Sequence, residues 1–419
     1  MSSAADDLTA KVRARLPDVP VIVALSGGAD SAVLAWAVSC CTDQVRAVSV
    51  DHGLPGSAGL MEAAASIATM LGLPHQIIAA EPSAASETAL RETRYAALAT
   101  VADGTEVVLT GHTLDDQAET VLGNVLRGTG TAGLSGIPAS RGRFRRPLLD
   151  VARSELRHLA TELGLPFADD PQNADPTVRR NRLRLETIPA LTERFNPGFV
   201  KALGRLGSSA AADDAVLETR AAKVPLTHRG GAVLVPGAAL ITLPEAIAAR
   251  VARRALREAR GPYAGTADEV AAVLEAVRGV AVTIRGGVDI RREGPWVVLV
   301  VEEPARPEAT EVEVGCEVAF GDWVVTAEAG SQSIGRFGTT IVRPDHLVVR
   351  TARADERIAI IGGSKRVGDA LAEARVPQRV RSGWPVLVTN GTIAWIPGVR
   401  AAPAAPGAPR ITIRARRSS

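Results

Sequence analysis

The chain has 419 residues, 46% of them hydrophobic, which is enough to bury more than one core, so we expect two or three domains. Its longest apolar stretches are broken by charged residues, glycines or prolines, and its first residues lack a basic segment followed by an apolar one, so we expect neither a transmembrane helix nor a secretory signal. The net charge is only +2, and three cysteines without metal-ligand spacing fit a reducing, cytoplasmic compartment.

The first predicted element is a buried strand over residues 21–25, which leads through a glycine turn into a helix over residues 32–39. Gly27 and Gly28 permit close approach of the backbone, and the helix start presents unpaired N–H groups with partial positive charge. We expect this arrangement to bind an anion, above all a phosphate. It is not a Walker A loop, because the four-residue spacing and the Gly-Lys-Ser/Thr ending are missing. The alternative is an ordinary strand–turn–helix of small residues.

Strand-like and helix-like segments then alternate along the first 215 residues. Strands are predicted over 45–50, 75–78 and 106–109, and helices over 59–71 and 85–102. This order predicts an α/β fold in which a parallel sheet carries helices on both faces. Ligands bind such sheets outside the carboxyl ends of the strands. Ser26, Asp51 and His112 each follow a strand end, so they can share one crevice.

The next helix begins after Thr113, which forms a capping pattern with Asp116 three residues later. Asp116 and Glu119 are neighbours on a helix face that lies away from its apolar stripe, and His112 at the helix entry could join them. The alternative is that Asp116 is only a cap and Glu119 only a solvated surface residue.

The later part of the chain is less regular and more basic. We expect a catalytic domain over residues 1–215, then a central helical α+β domain over 216–305. A linker with short strands over 306–343, a strand-rich α+β domain over 344–403 and a flexible basic tail over 404–419 follow. From residue 339 onward there are 14 basic and 5 acidic residues. Such an excess attracts polyanions such as RNA, although a solvated, arginine-rich surface is the alternative.

Several segments resemble a known family. Residues 26–31, Ser-Gly-Gly-Ala-Asp-Ser, resemble the pyrophosphate loop (PP-loop) of the N-type ATP pyrophosphatases, which split ATP into AMP and pyrophosphate. Residues 111–120 and 127–138 resemble the tRNA(Ile)-lysidine synthetase family. Further similar segments follow in the family's order at residues 50–54, 91–95, 169–175, 179–189 and 363–398.

The resemblance implies a specific reaction. Members of this family join L-lysine to C2 of the wobble cytidine in a tRNA(Ile) with the anticodon CAU, through an adenylated cytidine, with release of AMP and pyrophosphate. The product, lysidine, changes codon reading from AUG to AUA. The implied partners are ATP, Mg²⁺, L-lysine and tRNA(Ile), and the sequence leaves open whether the chain is a monomer or a homodimer.

The resemblance also implies roles for individual residues. The expected ATP and pyrophosphate site consists of Ser26, Gly27, Gly28, Ala29, Asp30 and Ser31. Asp30 is the candidate Mg²⁺ ligand. The expected catalytic residues are Asp30, His112, Asp116 and Glu119. The expected lysine site consists of Asp116, Glu119 and Arg182 or a neighbouring arginine. The expected tRNA-binding residues are Arg145, Arg179, Arg180, Arg184, Lys365, Arg379 and Arg381.

Other functions remain as alternatives at this stage. A tRNA thiolase with the same loop would need a cysteine pair, and the chain has no Cys-x-x-Cys motif. A relative acting on a small amide or acid would lack a terminal RNA-binding domain. A tRNA-binding protein without catalysis would have no need for the intact loop and the two carboxylates of Asp116 and Glu119.

Overall fold

The computed structural model describes residues 3–54, 56–82, 84, 86–261, 264–302, 306–330, 337–342, 344–353, 355–403 and 410–417. The chain forms two compact units, Met1–Val216 and Leu217–Ser419. Within the described ranges, every helix is too short or too polar to cross a bilayer.

The first unit is an α/β structure. Its helices are α1 (Ser3–Arg13), α2 (Ala29–Ser39), α3 (Ser57–Met70), α4 (Glu87–Val101), α5 (Leu114–Val125), α6 (Thr131–Leu134), α7 (Arg153–Glu162), α8 (Arg179–Arg182), α9 (Ile188–Arg194) and α10 (Phe199–Ala222), which ends beyond the unit boundary. A 3₁₀ turn spans Pro171–Ala174, and a π-helical turn spans Leu183–Thr187. Its strands are β1 (Val21–Ala24), β2 (Val45–Asp51), β3 (His75–Ala79), β4 (Val107–Thr110), β5 (Ser140–Arg141) and β6 (Phe144–Arg145).

These strands form one sheet in the order β3-β2-β1-β4-β6-β5, parallel except for the β5–β6 pair. Both faces are covered. Val21 and Val23 of β1 pack into a core with α1, α2 and α7, whereas Ile22 between them packs on the other face. This alternation confirms the predicted parallel sheet with helices on both faces, because an apolar run is buried on both sides of such a sheet.

The strand order creates a crevice beside β1. The chain runs from β1 to β2 and β3 on one side and then returns to place β4 on the other side of β1. The carboxyl ends of β1 and β4 therefore diverge into different helices, which is where open α/β sheets bind ligands. Gly111, after β4, lies against the start of α2, since a Cβ there would be 3.2 Å from the Asp30 carbonyl carbon.

The second unit contains mainly antiparallel strands and a few helices. Its helices are α11 (Gly237–Thr242), α12 (Glu245–Arg260), α13 (Ala267–Ala276), α14 (Val367–Glu373) and α15 (Gln378–Arg381). Its strands are β7 (Thr227–His228), β8 (Ala232–Pro236), β9 (Val282–Ile284), β10 (Val288–Glu293), β11 (Trp296–Val300), β12 (Thr310–Glu311), β13 (Glu317–Phe320), β14 (Trp323–Ala329), β15 (Gly338–Val342), β16 (Leu347–Thr351), β17 (Arg357–Ile360), β18 (Gly363–Arg366), β19 (Pro385–Thr389), β20 (Thr392–Ile396), β21 (Arg400–Ala401) and β22 (Arg410–Arg417).

Three sheets organise this unit. A sheet ordered β7-β8-β11-β10-β9 packs against α12 and α13. A larger sheet, β12-β16-β19-β20-β17-β18 with β21 beside β20, shares one core with a four-stranded sheet ordered β13-β14-β22-β15. The central part of the unit is thus α+β, and the C-terminal part is rich in strands.

The structure corrects the expectation of a flexible tail. Arg410–Arg417 forms β22, which pairs along seven residues with β14 and along five with β15. Ile411 and Ile413 are fully buried in its core. Alternation of apolar and polar residues in this segment, and not its basic charge, determines its structure. Residues 404–409 and 418–419 of the expected tail lie outside the described residues.

The expectation of a linker with short strands over residues 306–343 also needs correction. In the part of this segment that the structure describes, β13, β14 and β15 are members of the four-stranded sheet. Phe320, Trp323 and Val325 are at most 3% exposed and belong to the C-terminal core. The segment is therefore part of a folded domain.

Candidate functional site

The loop after β1 is held in a fixed shape by its own residues. The Ser31 hydroxyl donates to the Gly28 carbonyl at 2.9 Å and accepts from the Ser26 backbone N–H at 3.1 Å. Gly27 has a φ of +85°, and a Cβ there would lie 2.1 Å from the Leu60 carbonyl oxygen. Only glycine fits this position. The Ser26 hydroxyl lies 3.0 Å from Ser31 Oγ and donates to it, because the Ser31 proton is already on the Gly28 carbonyl. The backbone N–H groups at the start of α2 are therefore the donors left for an anion.

Asp116 has two functions that its two carboxylate oxygens divide between them. Its Oδ2 accepts from the Thr113 backbone N–H at 2.8 Å, which completes a capping box at the start of α5. Its Oδ1 accepts from the guanidinium groups of Arg153 and Arg180, both at 2.8 Å. Asp116 is thus a helix cap and, at the same time, a member of a charged cluster.

Glu119 is the most buried carboxylate of this cluster, with a side chain 2% exposed. Its oxygens accept from Arg184 Nε at 2.6 Å, from Arg180 Nε at 2.7 Å and from Arg153 at 3.3 Å. Two carboxylates one helical turn apart are therefore surrounded by three arginines. We call Asp116, Glu119, Arg153, Arg180 and Arg184 the carboxylate–arginine cluster.

The cluster keeps Asp116 ionised. Burial by itself raises the pKa of this carboxyl group, but the positive charges of Arg153 and Arg180 outweigh burial and hold the pKa well below its usual range. A carboxylate with such a low pKa is a weak proton acceptor and a strong binding partner for cations.

The pKa of His112 is also lowered, but a low pKa makes a histidine neutral, whereas it makes an aspartate charged. Burial lowers the pKa of His112 to about 3, with nearby arginines acting in the same direction. The imidazole is therefore neutral near pH 7, and its Nδ1 lies 2.9 Å from the Thr110 hydroxyl. It can form a hydrogen bond to a ligand without adding charge to the crevice.

Asp30 connects the phosphate loop to the cluster. Burial raises its pKa to about 6 against the opposing charge of Arg153, whose Nε lies 3.3 Å from Asp30 Oδ2. Its Oδ1 is buried and has no hydrogen-bond partner among the described residues. Mg²⁺ in nucleotide sites typically takes one or two carboxylates together with substrate phosphates. The free Oδ1 fits this role, although the described residues contain no group of three side chains able to bind a metal ion alone.

Among the arginines of residues 179–184, two neighbours of Arg182, and not Arg182 itself, lie beside the two carboxylates. Arg180 and Arg184, expected at the tRNA, contact Asp116 and Glu119. Arg182, expected at lysine, is exposed, and in the described part of the chain it forms no ion pair with either carboxylate. Arg180 and Arg184 are four positions apart and share a helix face, whereas Arg182 lies two positions from each and points elsewhere.

Sequence reasoning missed Arg153, which is the first residue of α7. Its guanidinium contacts Asp30, Asp116 and Glu119. These partners are 123, 37 and 34 positions away in the chain, so no local motif marks it. Its position directly after an apolar segment is a weak signal.

The other expected tRNA-binding residues have different environments. Arg145 is half-buried and donates to the carbonyls of Gly142 and Phe144, while Arg179 is exposed. In the second unit, Lys365 pairs with Glu373, and Arg381 donates to the Val376 carbonyl at 2.8 Å.

The expectation that Arg379 contacts tRNA requires correction. Its side chain is 3% exposed, pairs with Glu293 at 3.1 Å, and donates to the carbonyls of Arg229 and Gly230. This arginine joins α15 to β10 and to the turn before β8. Because its donors are used within the protein, it stabilises the second unit and is not available to tRNA.

Comparison with protein families gives two matches. Residues 3–191 match the family described as PP-loop domain, and residues 347–414 match the family described as TilS substrate C-terminal domain. The first match includes the phosphate loop and the carboxylates of α5. The second runs from β16 into β22, and so includes the strand that composition alone assigned to a tail.

Curated proteins similar to this chain extend the comparison over most of its length. A tRNA(Ile)-lysidine synthase of Streptomyces coelicolor is 40% identical, over 68% of this chain and 86% of the relative. A tRNA(Ile)-lysidine synthase of Symbiobacterium thermophilum is 32% identical, over 91% of this chain and 90% of the relative.

Proposed function

This chain belongs to the tRNA(Ile)-lysidine synthase family, and we propose that it ligates L-lysine to C2 of the wobble cytidine of a CAU-anticodon tRNA(Ile) while ATP is cleaved to AMP and pyrophosphate. The enzyme is a ligase that forms a carbon–nitrogen bond. One observation carries the proposal most strongly. The buried carboxylates of Asp116 and Glu119 lie in the same crevice as a phosphate-binding loop, linked to it through Arg153 and Asp30.

In the first step, the C2 oxygen of the cytidine attacks the α-phosphorus of ATP and pyrophosphate leaves. The loop at Ser26 to Ser31 binds the phosphates through backbone N–H groups and through the Ser26 hydroxyl, once that hydroxyl turns away from Ser31. Mg²⁺, held by Asp30, would neutralise charge on the departing pyrophosphate. His112 is neutral and at the crevice, so it can hydrogen-bond to the base or the nucleotide without repelling either.

In the second step, the ε-ammonium group of lysine loses a proton to solvent and the resulting amine attacks C2 of the adenylated cytidine. The C2–O bond then breaks, AMP leaves, and the new C–N nitrogen releases its extra proton to solvent. Free lysine carries two cationic nitrogens, which the carboxylates of Asp116 and Glu119 can bind. Their oxygens already accept from Arg153, Arg180 and Arg184. Lysine therefore enters by taking over acceptor positions from arginine, and a released guanidinium is then available for the α-carboxylate of lysine.

The tRNA contacts follow from the exposed basic residues. Arg179 in the first unit and the basic, strand-rich part of the second unit are candidate contacts with the RNA backbone. The target cytidine must leave its stack so that C2 becomes accessible. A cytoplasmic location, where tRNA and ATP meet, is part of the same proposal.

The test is incorporation of radiolabelled L-lysine into a tRNA(Ile) transcript with the anticodon CAU, in the presence of ATP and Mg²⁺. We expect incorporation by the wild type and a loss of about 100-fold in kcat/KM for lysine in Asp116→Asn, the size expected from lost charge-assisted hydrogen bonds. Asparagine retains an oxygen for the cap on α5, so the helix start is preserved. Glu162→Gln, an exposed change at the end of α7, is the matched control.

Two results would redirect the proposal. If tRNA stimulates ATP cleavage to AMP but no lysine is incorporated, the chain performs another modification with the same loop. If neither ATP cleavage nor incorporation occurs while tRNA still binds, the chain is a non-catalytic tRNA-binding protein.

A further inference from the structure

A single guanidinium group connects the two ends of the site. Arg153 directs Nε to Asp30 Oδ2 at 3.3 Å, one terminal nitrogen to Asp116 Oδ1 at 2.8 Å and the other to Glu119 Oε1 at 3.3 Å. Asp30 belongs to the nucleotide end of the crevice, and the other two carboxylates belong to the lysine end. Each of its three nitrogens thus faces a different carboxylate.

The backbone of Arg153 is held by a hydrogen bond, whereas its side chain is partly exposed. Its backbone N–H donates to Asp115 Oδ2 at 2.7 Å, which ties the start of α7 to the first turn of α5. Behind it, Leu156 and Leu159 are buried in the core of the first unit. The guanidinium lies at the open end, with the side chain 26% exposed.

The charge at the two ends changes when the nucleotide binds. Without ligands, the nucleotide end carries the single negative charge of Asp30. The lysine end carries the carboxylates of Asp116 and Glu119 together with the positive charges of Arg180 and Arg184. Mg²⁺ and ATP together bring a net charge of about −2, since the triphosphate carries about four negative charges and the ion two positive ones. The attraction of Arg153 to the nucleotide end therefore increases on binding.

We propose that Arg153 is a positioning residue that couples nucleotide binding to lysine binding by exchanging partners between Asp30 and the phosphates on one side and Asp116 and Glu119 on the other. When Mg²⁺ and ATP bind, the guanidinium turns toward the phosphates and leaves acceptor positions on Asp116 and Glu119 to the cationic groups of lysine. The inference rests on the proposed assignment of these carboxylates to lysine. It adds that the two substrates bind with positive cooperativity and that Arg153 transmits it.

The role requires arginine and not merely a positive charge. Arginine presents its N–H donors in a planar fork and can contact groups on three sides, whereas lysine presents one compact ammonium group. In Arg153→Lys the charge is conserved, but one nitrogen cannot contact both ends. The exchange of partners is then lost.

The experiment measures binding of L-lysine to the full-length protein by calorimetry, with and without Mg²⁺ and α,β-methylene-ATP, which cannot be cleaved between the α- and β-phosphates. In the wild type we expect the nucleotide to tighten lysine binding about tenfold, within the usual range of coupling between sites. In Arg153→Lys and Arg153→Met we expect the ratio of the two lysine affinities to fall below about twofold. A merely structural role would weaken binding equally in both conditions and leave this ratio unchanged.

Arg157→Lys is the matched control, because Arg157 lies one turn further along α7 and pairs with exposed Asp169. It should keep the coupling of the wild type. The melting temperature of each variant shows whether it is folded, and the conservative Arg153→Lys serves if Arg153→Met unfolds. Lysine binding by the wild type that does not respond to nucleotide, or full coupling in Arg153→Lys, would overturn the inference. A wild type that binds no lysine in either condition would instead overturn the assignment of Asp116 and Glu119 to lysine.

Discussion

At the scale of single residues, the site is defined by carboxylates whose surroundings differ. Asp116 is held ionised by Arg153 and Arg180, whereas burial raises the pKa of Asp30 to about 6. The negative charges of Asp116 and Asp115 raise this pKa further, and the charge and hydrogen bond of Arg153 oppose them. Asp30 is thus a residue whose charged form weakens the fold and serves ligand binding.

The stability cost of Asp30 has a defined pH dependence. Its pKa in the folded state, about 6, is higher than the ordinary aspartate pKa of 3.8, so the folded state binds the proton more tightly and loses stability as pH rises from about 4 to about 6. Without ligands, we expect the free energy of unfolding of Asp30→Asn to exceed that of the wild type by about 2 kcal/mol at pH 8. Near pH 4 we expect the two free energies to be equal. Urea denaturation at a series of pH values measures this. A difference that is constant with pH would contradict the prediction.

At the scale of structural elements, a few close backbone contacts shape the crevice. Gly27 brings the loop after β1 against Leu60 of α3, and Gly111 brings the loop after β4 against the start of α2. The capping box at Thr113 then fixes the first turn of α5, so that Asp116 is presented at a defined place. These contacts, and not the sheet itself, set the distance between the phosphate loop and the carboxylate–arginine cluster.

Two adjacent glycines give a matched pair of variants for this loop. In Gly27→Ala, the φ of +85° and the overlap with the Leu60 carbonyl oxygen should destabilise the protein by about 2 kcal/mol or more and abolish ATP binding. In Gly28→Ala, the nearest atom to the new Cβ is 3.7 Å away and the conformation is an ordinary one, so the fold should be preserved. Thermal denaturation and nucleotide titration test both, and equal effects of the two changes would refute the argument.

At the scale of the whole molecule, each unit has its own buried core, and charge is unevenly distributed along the chain. The net charge is only +2, yet 14 basic and 5 acidic residues follow position 338. Several of these arginines serve the fold, as Arg379 does through Glu293. The number of basic residues therefore overestimates the number of RNA contacts.

Binding of tRNA should depend on salt through the exposed arginines only. We expect affinity to fall steeply between 50 and 200 mM salt, and we expect Arg179→Ala to reduce the slope of log affinity against log salt by about 0.7 to 0.9, the value for one lost phosphate contact. Arg13→Ala is the control, because Arg13 ends α1 and donates to the Cys40 carbonyl at the C-terminal end of α2, whereas the phosphate loop lies at the N-terminal end of that helix. Filter binding at several salt concentrations measures the slopes. An equal change in both variants would show that Arg179 makes no specific contact.

Local sequence patterns were sufficient to predict the secondary structure and the local motifs of much of the first unit. The predicted alternation of strands and helices over residues 21–110 agrees with the structure within about three residues, because apolar periodicity and glycine turns are properties of neighbouring positions. The helix α1, over Ser3–Arg13, was not predicted. The phosphate loop and the capping box are equally local: Ser26 and Ser31, or Thr113 and Asp116, are within five positions of each other. The sequence by itself therefore determined the α/β sheet, the loop and the place of the two carboxylates.

Only the tertiary structure decided which arginines meet those carboxylates. Arg153 lies 123 positions from Asp30, and Arg180 lies 61 from Glu119, so no spacing rule connects them. The same holds for β22. Its basic composition predicted a flexible tail, and only its pairing with β14 and β15 shows that it is a strand. Arginine has the same charge at the surface and in a core, and only its surroundings decide whether it binds RNA, clamps a carboxylate or joins two elements. Those surroundings arise from contacts between distant parts of the chain, which a one-dimensional pattern does not contain.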